Sequence, residues 1–451
     1  MNIHFISIGG SAMHNLALAL HAKGDTITGS DDAIFEPSKS RLQAKGLLPE
    51  AMGWFDDKIT SDLDAVVLGM HAKADNPELL KAQALGLKIY SYPEFLYEHA
   101  KNKTRVVIGG SHGKTTITSM ILHVLNYHDI KADYMVGAQL EGFDRMVHLT
   151  QENEFMIIEG DEYLSSPIDL RPKFHLYKAN IALLSGIAWD HMNVFPTFEN
   201  YVDQFKIFLD TMVPGGILIY NEEDSEVKRV AETTLNTIRK IPYQTPDYHI
   251  ENGQVSLETP EGAIALEVFG KHNLQNLAGA KLICQSIGVG EDEFYEAIAT
   301  FKGASKRLEK LTEGKTSVIF KDFAHSPSKV KATTNAVKEQ YPNKKVLACL
   351  ELHTYSSLNA EFLNLYQNAL DAADEAVVFY SPHAVAIKKL KAISKEQIGD
   401  AFQRDDLIIY TDPKEFKAFL FAQNLENTAL LFMSSGNYGG LDLEEVKQLV
   451  D

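Results

Sequence analysis

Short apolar runs alternate with longer stretches of helical period along almost the whole chain. In the first hundred residues IHFISI, TITGS, AVVLG and LKIY predict strands, with helical segments such as Met13 to Lys23 between them. Apolar strands each followed by a helix are the pattern of stacked βα units and parallel sheets. A second series opens at TRVVIG (104 to 109) and continues through EFMIIE, NIALLSGI and GGILIY, with a helix predicted from Thr115 to about Tyr127. The stretch YHIENGQVSLETPEGAIALEVFG alternates in polarity and is rich in turn residues. It predicts a small antiparallel excursion at the edge of this second unit, closed by a helix after Asn273. FKGASKRLEKLTEGKT (301 to 316) lapses into charge and glycine and reads as a linker or hinge. Beyond it SVIFKDF, KVLACLEL, EAVVFY, LIIYT and TALLFMSS predict a third α/β unit.

The 451 residues exceed what one core accommodates, and three domains are expected, with boundaries at 1–101, 102–303 and 304–451. Apolar residues make up 45% and charged residues 23%, the balance of a globular chain. The formal charge of -18 changes the picture, because it argues against a grip on nucleic acid or on an anionic membrane. An anionic substrate then needs cations placed locally. Cys284 and Cys349 lack metal-type spacing and read as two buried thiols. MNIHFISI has no basic leader and reads as a strand, and no apolar run reaches the roughly 18 residues of a membrane span. A cytoplasmic protein, monomeric or a weak dimer, is the expectation.

Two strand-to-helix loops carry candidate chemistry. VVIGGSHGKTTI (106 to 117) puts Gly110, Ser111, His112 and Gly113 between a strand and a helix that opens with Lys114, Thr115 and Thr116. Backbone N–H groups and a helix N-terminus at such a turn point at phosphate oxygens; a lysine there neutralises them and a threonine hydroxyl reaches Mg2+. The strict Walker spacing is not met, because Ile108 stands five residues before Gly113. Glu159 follows the run FMII, and Asp190 and His191 follow NIALLSGIAW, so these side chains should project at the carboxyl ends of strands beside that loop. Oxygen ligands suit magnesium, with His191 a less usual addition. The earlier loop, Ser7 to Ala12 with Gly9, Gly10 and Ser11, departs from the dinucleotide fingerprint. Asp31 lies at the end of the next strand, where a ribose-binding acid is expected. GKHNLQN (270 to 276) places His272, Asn273 and Asn276 at a helix entry, as caps or as readers of a base edge. Arg307 and Asp322 lie in the linker and at a strand end.

Taken in order, IGGSAM, GGSHGKTT, IEGDE, DHMN, GKHNLQN, FKGASKR and DFAHSP resemble the successive motifs of the Mur ligases, and the resemblance covers nearly the whole chain. It implies an α/β fold of three domains: an N-terminal Rossmann-like domain for a UDP-sugar, a central P-loop ATPase domain, and a C-terminal Rossmann-like domain that brings the amine. It further implies Gly9, Gly10, Ser11 and Asp31 along the UDP-sugar. Gly110 to Thr116, Asn276, Arg307 and Asp322 would lie on ATP, and Thr115, Glu159 and His191 on Mg2+, with Lys114, Glu159 and His191 catalytic. The chemistry implied is activation of a carboxylate by ATP as an acyl phosphate, followed by attack of an amine. Departures are present: Ser7 and Ala12 replace frequent glycines, Lys306 and Ser326 replace a frequent arginine and histidine, and Phe205 stands where several members carry a carbamylated lysine.

Within the family, GDEYLSSPIDLRPKFHLYKAN, GMHAKADNPEL and MSSGNYGGLD are similar to members that rejoin L-alanyl-γ-D-glutamyl-meso-diaminopimelate to UDP-N-acetylmuramate. The alternative is a member that adds L-alanine. A tripeptide needs more cationic and polar contacts than an amino acid, and Arg171 and Lys173 are candidates to supply them.

Overall fold

The computed structural model describes residues 1–138, 143, 145–189, 192–251 and 253–450. The chain forms two compact units, Met1–Ile187 with Glu199–Tyr243 and Gly279–Val289, and Ala188–Phe198 with Gln244–Ala278 and Gly290–Asp451.

The first unit holds two sheets. Strands β1 (Asn2–Ile6), β2 (Thr26–Ser30), β3 (Ala65–Leu68) and β4 (Ile89–Ser91) form a four-stranded parallel sheet in the order β2-β1-β3-β4. Each run of βα comes from an apolar strand flowing into a helix; Ser11–Ala22 follows β1, where Met13–Lys23 was predicted. The second sheet uses β5 (Thr104–Gly109), β6 (Asp133–Met135), β7 (Val147–His148) and β8 (Phe155–Glu159). After a hairpin of β9 (Leu164–Ser166) and β10 (Asp169–Pro172), it continues with β11 (Ile181–Leu184), β12 (Ile217–Asn221) and β13 (Arg239–Tyr243). Its order is β13-β12-β11-β5-β8-β6-β7, parallel throughout except for β7. Val106 to Ile108, Met156 to Ile158 and Ala182 to Leu184 are fully buried, as expected of central strands covered on both faces. In register, Ile108 pairs with Glu159, so the end of β8 lies next to the turn that leaves β5.

The β9–β10 hairpin falls in the extra residues after Glu159 and has no strong alternation in its sequence. Its strands pair with a register irregularity between Asp169 and Pro172.

The second unit holds the antiparallel excursion as a separate sheet of β14 (Tyr248–Glu251), β15 (Gln254–Thr259) and β16 (Gly262–Leu266). The Tyr248 hydroxyl donates to Glu339 at 2.6 Å and Gln340 Nε2 to the Gly253 carbonyl at 2.5 Å, which fasten it to the helix Pro327–Gln340. The larger sheet comprises β17 (Glu309–Glu313), β18 (Val318–Asp322), β19 (Lys345–Leu352), β20 (Glu375–Tyr380), β21 (Ile408–Tyr410) and β22 (Thr428–Met433), in the order β17-β18-β22-β19-β20-β21. All but β17 run parallel. Part of the predicted linker is thus a strand: Glu309–Glu313 lies antiparallel on the sheet edge. Its Glu and Lys side chains are exposed, and charge on an edge strand is what keeps that edge from pairing further, so the composition that read as linker is that of a guarded edge. Insertion of β22 between β18 and β19 creates a reversal in strand order, and the carboxyl ends of strands at such a reversal are where open α/β sheets take ligands.

Candidate phosphate-binding site

The loop after β5 is built by two glycines that no other residue replaces easily. Gly110 has φ 132°, and a Cβ on it would meet Ser185 Oγ at 2.2 Å. Gly113 has φ 80° and caps the helix Lys114–Tyr127 through its left-handed conformation. The Ser111 N–H donates to the Gly186 carbonyl at 2.9 Å, fixing the loop against the residues after β11. Gly186 has no side chain for a steric reason too: a Cβ there would lie 2.2 Å from the His112 ring.

Lys114 opens the helix, and its ammonium donates to the Gly110 carbonyl at 2.6 Å and to Glu162 Oε2 at 2.5 Å. Glu162 is only 1% exposed, so its charge is tolerable because it is paired. The Tyr201 hydroxyl donates to Glu162 Oε1 at 3.1 Å and shares a 2.8 Å hydrogen bond with Ser111 Oγ. Next along the helix, the buried Thr115 hydroxyl donates to Glu159 Oε1 at 2.9 Å, and the Gly137 N–H donates to Glu159 Oε2 at 2.9 Å. Thr116, the next residue, is also buried.

Carboxylates and a buried phenol lie close together around the site. Asp161 sits below its ordinary carboxylate range: desolvation pushes it up, but the Lys173 and Lys114 charges outweigh that. Lys173 is ion-paired to it. Tyr92 is held protonated far above its ordinary range by burial first, and then by the carboxylates of Asp161 and Glu159. Arg171, by contrast, is spent on Asp169 at 2.6 Å on the hairpin surface. Phe205 lies fully buried, edge-to-face with Phe174 and Tyr201, and Lys206 pairs with Asp203 at 2.6 Å.

The structure therefore gathers Gly110, Ser111, His112, Gly113, Lys114, Thr115, Thr116 and Glu159 into one cradle. Asp190 and His191 lie outside the described residues. Glu162, Tyr201 and Ser185 were missed in the sequence. Glu162 stands inside IEGDE, three residues after Glu159, and that spacing was the available signal; nothing local marks Tyr201 or Ser185.

The first loop has the same outline and a different interior. The Gly9 N–H donates to Asp31 Oδ2 at 2.7 Å, and a Cβ on Gly9 would meet Ile34 Cγ1 at 2.7 Å. Asp31 is buried, and desolvation raises its carboxyl above the ordinary range against the opposing Gly9 N–H. Gly10 is the N-cap of Ser11–Ala22, and Ser11 is exposed. Asp31 thus closes the turn through the Gly9 amide.

Asn276, Arg307 and Asp322 belong to the second unit. Asn276 is buried on the helix Lys271–Ser286. Asp322 ends β18 and accepts from the Thr333 hydroxyl at 2.5 Å, while the Arg307 guanidinium lies 4.8 Å from the Phe323 ring centre. His272 is held below its ordinary pKa by burial, with Asp322 acting in the opposite direction.

A parallel α/β sheet whose glycine turn presents a lysine and a threonine, backed by a carboxylate on the adjacent strand, defines a phosphate-binding protein of the nucleoside-triphosphate class. Residues 108–284 match the Mur ligase middle domain and residues 2–104 match the Mur ligase family, catalytic domain. The UDP-N-acetylmuramate–L-alanine ligase of Carboxydothermus hydrogenoformans is 30% identical over 415 residues, 89% of this chain and 86% of that one. Among solved structures, the UDP-N-acetylmuramate-alanine ligase of Thermotoga maritima superposes with a TM-score of 0.70 at 19% identity, covering 99% of this chain and 97% of the other. The murein peptide ligase of Psychrobacter arcticus superposes with a TM-score of 0.67 at 22% identity over 100% and 98%. The chain belongs to the Mur ligase family, whose members are ATP-dependent, Mg2+-using ligases that form amide bonds and share the three-domain architecture. None of the described helices is long and apolar enough to cross a membrane.

Proposed function

We propose that this chain is a cytoplasmic ligase that joins the carboxylate of UDP-N-acetylmuramate to an amine at the expense of ATP, with L-alanine as the amine. The observation that carries the ligase reading is the Lys114, Thr115 and Glu159 cradle at the end of β5 and β8. The relatives at 26 to 31% identity that bear the L-alanine name support the choice of amine. In this reading the domains run 1–101 for the UDP-sugar, 102–303 for ATP and 304–451 for the amine.

The donor set fits Mg2+. Thr115 offers a hydroxyl and Glu159 a carboxylate, 2.9 Å apart and both buried, and hard oxygen donors are what this cation takes. When bound it spreads the phosphate charge that would otherwise repel an attacking carboxylate. Lys114, released from or sharing its bond to Glu162, faces the terminal phosphates and stabilises the charge that develops on them in transfer. The glycine turn aims its N–H groups at the same oxygens without paying for reorganisation. The carboxylate attacks the terminal phosphorus and ADP leaves; the amine, its proton lost, then attacks the carbon of the acyl phosphate, and the C–N bond forms as inorganic phosphate leaves. Glu162 and Tyr201 hold Lys114 in its place. His191 is proposed as a further magnesium contact; Gly9, Gly10, Ser11 and Asp31 as the UDP-sugar loop; Asn276, Arg307 and Asp322 as ATP contacts.

The test is ADP release by the purified full-length chain with Mg2+. ADP should form only when both UDP-N-acetylmuramate and an amine are supplied. Release independent of either, or none with any amine, refutes the ligase reading.

A second reading, in which the amine is L-alanyl-γ-D-glutamyl-meso-diaminopimelate, is favoured by the β9–β10 hairpin in the extra residues after Glu159 and by the likeness to the murein peptide ligase. Comparing L-alanine with the tripeptide at equal concentration decides between them.

A further inference from the structure

The strand reversal of the second unit carries at its carboxyl end a carboxylate that the phosphate site does not use. Glu351 is the second-last residue of β19, and its side chain is 4% exposed. Ser434 and Ser435 follow β22 directly, so the two strand ends flanking the reversal meet here. Open α/β sheets bind ligands at such reversals.

The loop MSSGNYGGLD wraps one oxygen of that carboxylate. Glu351 Oε2 accepts from the Ser434 hydroxyl and, at 2.9 Å, from the Tyr438 N–H. The Gly436 N–H donates to Ser434 Oγ at 2.7 Å, and a Cβ on Gly436 would lie 2.7 Å from Oε2 and 2.8 Å from His353 Nδ1. Tyr438 is anchored beneath, its hydroxyl donating to the Cys349 and Met433 carbonyls at 2.7 and 2.9 Å. The loop is therefore shaped to the carboxylate and not merely near it.

The other oxygen, Oε1, has His353 Nδ1 at 3.6 Å, within ion-pair but beyond hydrogen-bond distance, and among the described residues no lysine or arginine pairs with Glu351. His353 is 43% exposed and marks the side open to solvent. On the same loop, directly after Ser434, the Ser435 hydroxyl is buried without a hydrogen-bond partner among the described residues. A nearly buried carboxylate faced by no cationic side chain but the His353 ring, wrapped by a loop that also buries an unsatisfied hydroxyl, is costly unless a ligand completes it. The group that completes it is a cation with N–H donors.

We propose that Glu351, with His353 and Ser435, recognises an ammonium group of the amine substrate other than the attacking one. The attacking amine must lose its proton to become a nucleophile, so a fixed carboxylate gains most from an ammonium that keeps its charge throughout. L-alanine has one amino group; a peptide ending in a diamino acid has a second. Glu351 is thus a specificity residue for a diammonium substrate, and this inference rests on the second of the two readings of the amine.

The experiment uses the full-length enzyme with ATP, Mg2+ and UDP-N-acetylmuramate, and three amines: L-alanine, the diaminopimelate tripeptide, and the same tripeptide with the distal amine acetylated. On the second reading of the amine, wild type should favour the free tripeptide over L-alanine. Glu351→Gln should raise its KM about 30-fold with kcat changed less than about threefold, leaving the KM for the acetylated peptide unchanged. Ser435→Ala, which removes no charge, should raise the KM for the free tripeptide about threefold and serves if Glu351→Gln fails to fold. Isothermal titration of the tripeptide into enzyme loaded with ADP should show the same loss of affinity. Equal KM changes for free and acetylated peptide, or none in either variant, overturn the inference. So does a wild type that uses only L-alanine, although the ligase reading then stands. Absence of ADP release with every amine overturns the ligase reading itself.

Discussion

Two loops in the first unit begin from the same plan: an apolar parallel strand, a glycine turn, and a helix. In the loop after β1 the turn amide of Gly9 is taken by Asp31, and the helix that follows opens with Ser11 and Ala12, without a cation. In the loop after β5 the helix opens with Lys114 and Thr115, and both side chains meet carboxylates from the neighbouring strand and its extension. Backbone geometry alone therefore does not tell the two loops apart. The difference lies in which side chains the first helical turn presents and in what the adjacent strand returns. In a chain of net charge -18, one lysine at a helix start carries much of the local attraction for an anion.

The largest test of that contrast is Lys114→Ala. It removes the cation proposed to face the phosphates and leaves Glu162 buried without its ammonium, so two effects coincide. ADP release should fall by at least two orders of magnitude, about 3 kcal/mol in barrier. Breaking a buried pair costs stability as well, about 3 to 5 kcal/mol in documented cases. Lys114→Ala combined with Glu162→Gln should recover much of the thermal stability and none of the turnover. A double variant whose activity returns would assign Lys114 a structural role alone.

The glycines give a second contrast. Gly110→Ala places a methyl 2.2 Å from Ser185 Oγ at a φ of 132°, so folding stability should drop by about 2 to 4 kcal/mol. Gly10 has φ -57°, and its nearest neighbour to an added Cβ is Met13 Cγ at 3.5 Å. Gly10→Ala should therefore change stability by less than about 0.5 kcal/mol. If the methyl obstructs the approach of a diphosphate to the backbone, it should still weaken binding of UDP-N-acetylmuramate. Denaturant melts and nucleotide titrations on both variants measure the two effects separately.

Much of this arrangement was legible beforehand because it is local. Strands such as Lys345–Leu352 and Glu375–Tyr380 coincide with KVLACLEL and EAVVFY, since central strands need continuous apolar runs, and the helix begins at Lys114 because Gly113 can cap it. What was not legible depends on tertiary pairing. Charge in Glu309–Glu313 hid an edge strand, the β9–β10 hairpin lacks alternation, and Tyr201 reaches Glu162 and Ser111 from a distant helix. Glu351 looked like any strand residue, because its significance comes from a loop some eighty residues later that folds over it.

The smallest expected effect concerns Asp31. Burial raises its carboxyl above the unfolded value, with the Gly9 N–H opposing and Asp32 adding to the rise. A group whose folded pKa is raised binds its proton more tightly in the native state. Its contribution to stability is therefore present below the unfolded pKa, near 4, and is lost as pH rises through the folded value. Asp31→Asn removes that dependence while keeping an oxygen for the Gly9 N–H. The variant should lose ground to wild type at about pH 3.5 and gain on it by pH 7, in melts followed across that range. If the two profiles run parallel, Asp31 is not titrating with the fold. The same substitution should weaken UDP-N-acetylmuramate binding about tenfold and leave ADP affinity unchanged, because a carboxylate accepts a ribose hydroxyl more strongly than an amide does. A matched loss of affinity for both nucleotides would mean that the two loops act as one site, and the contrast between them would fail.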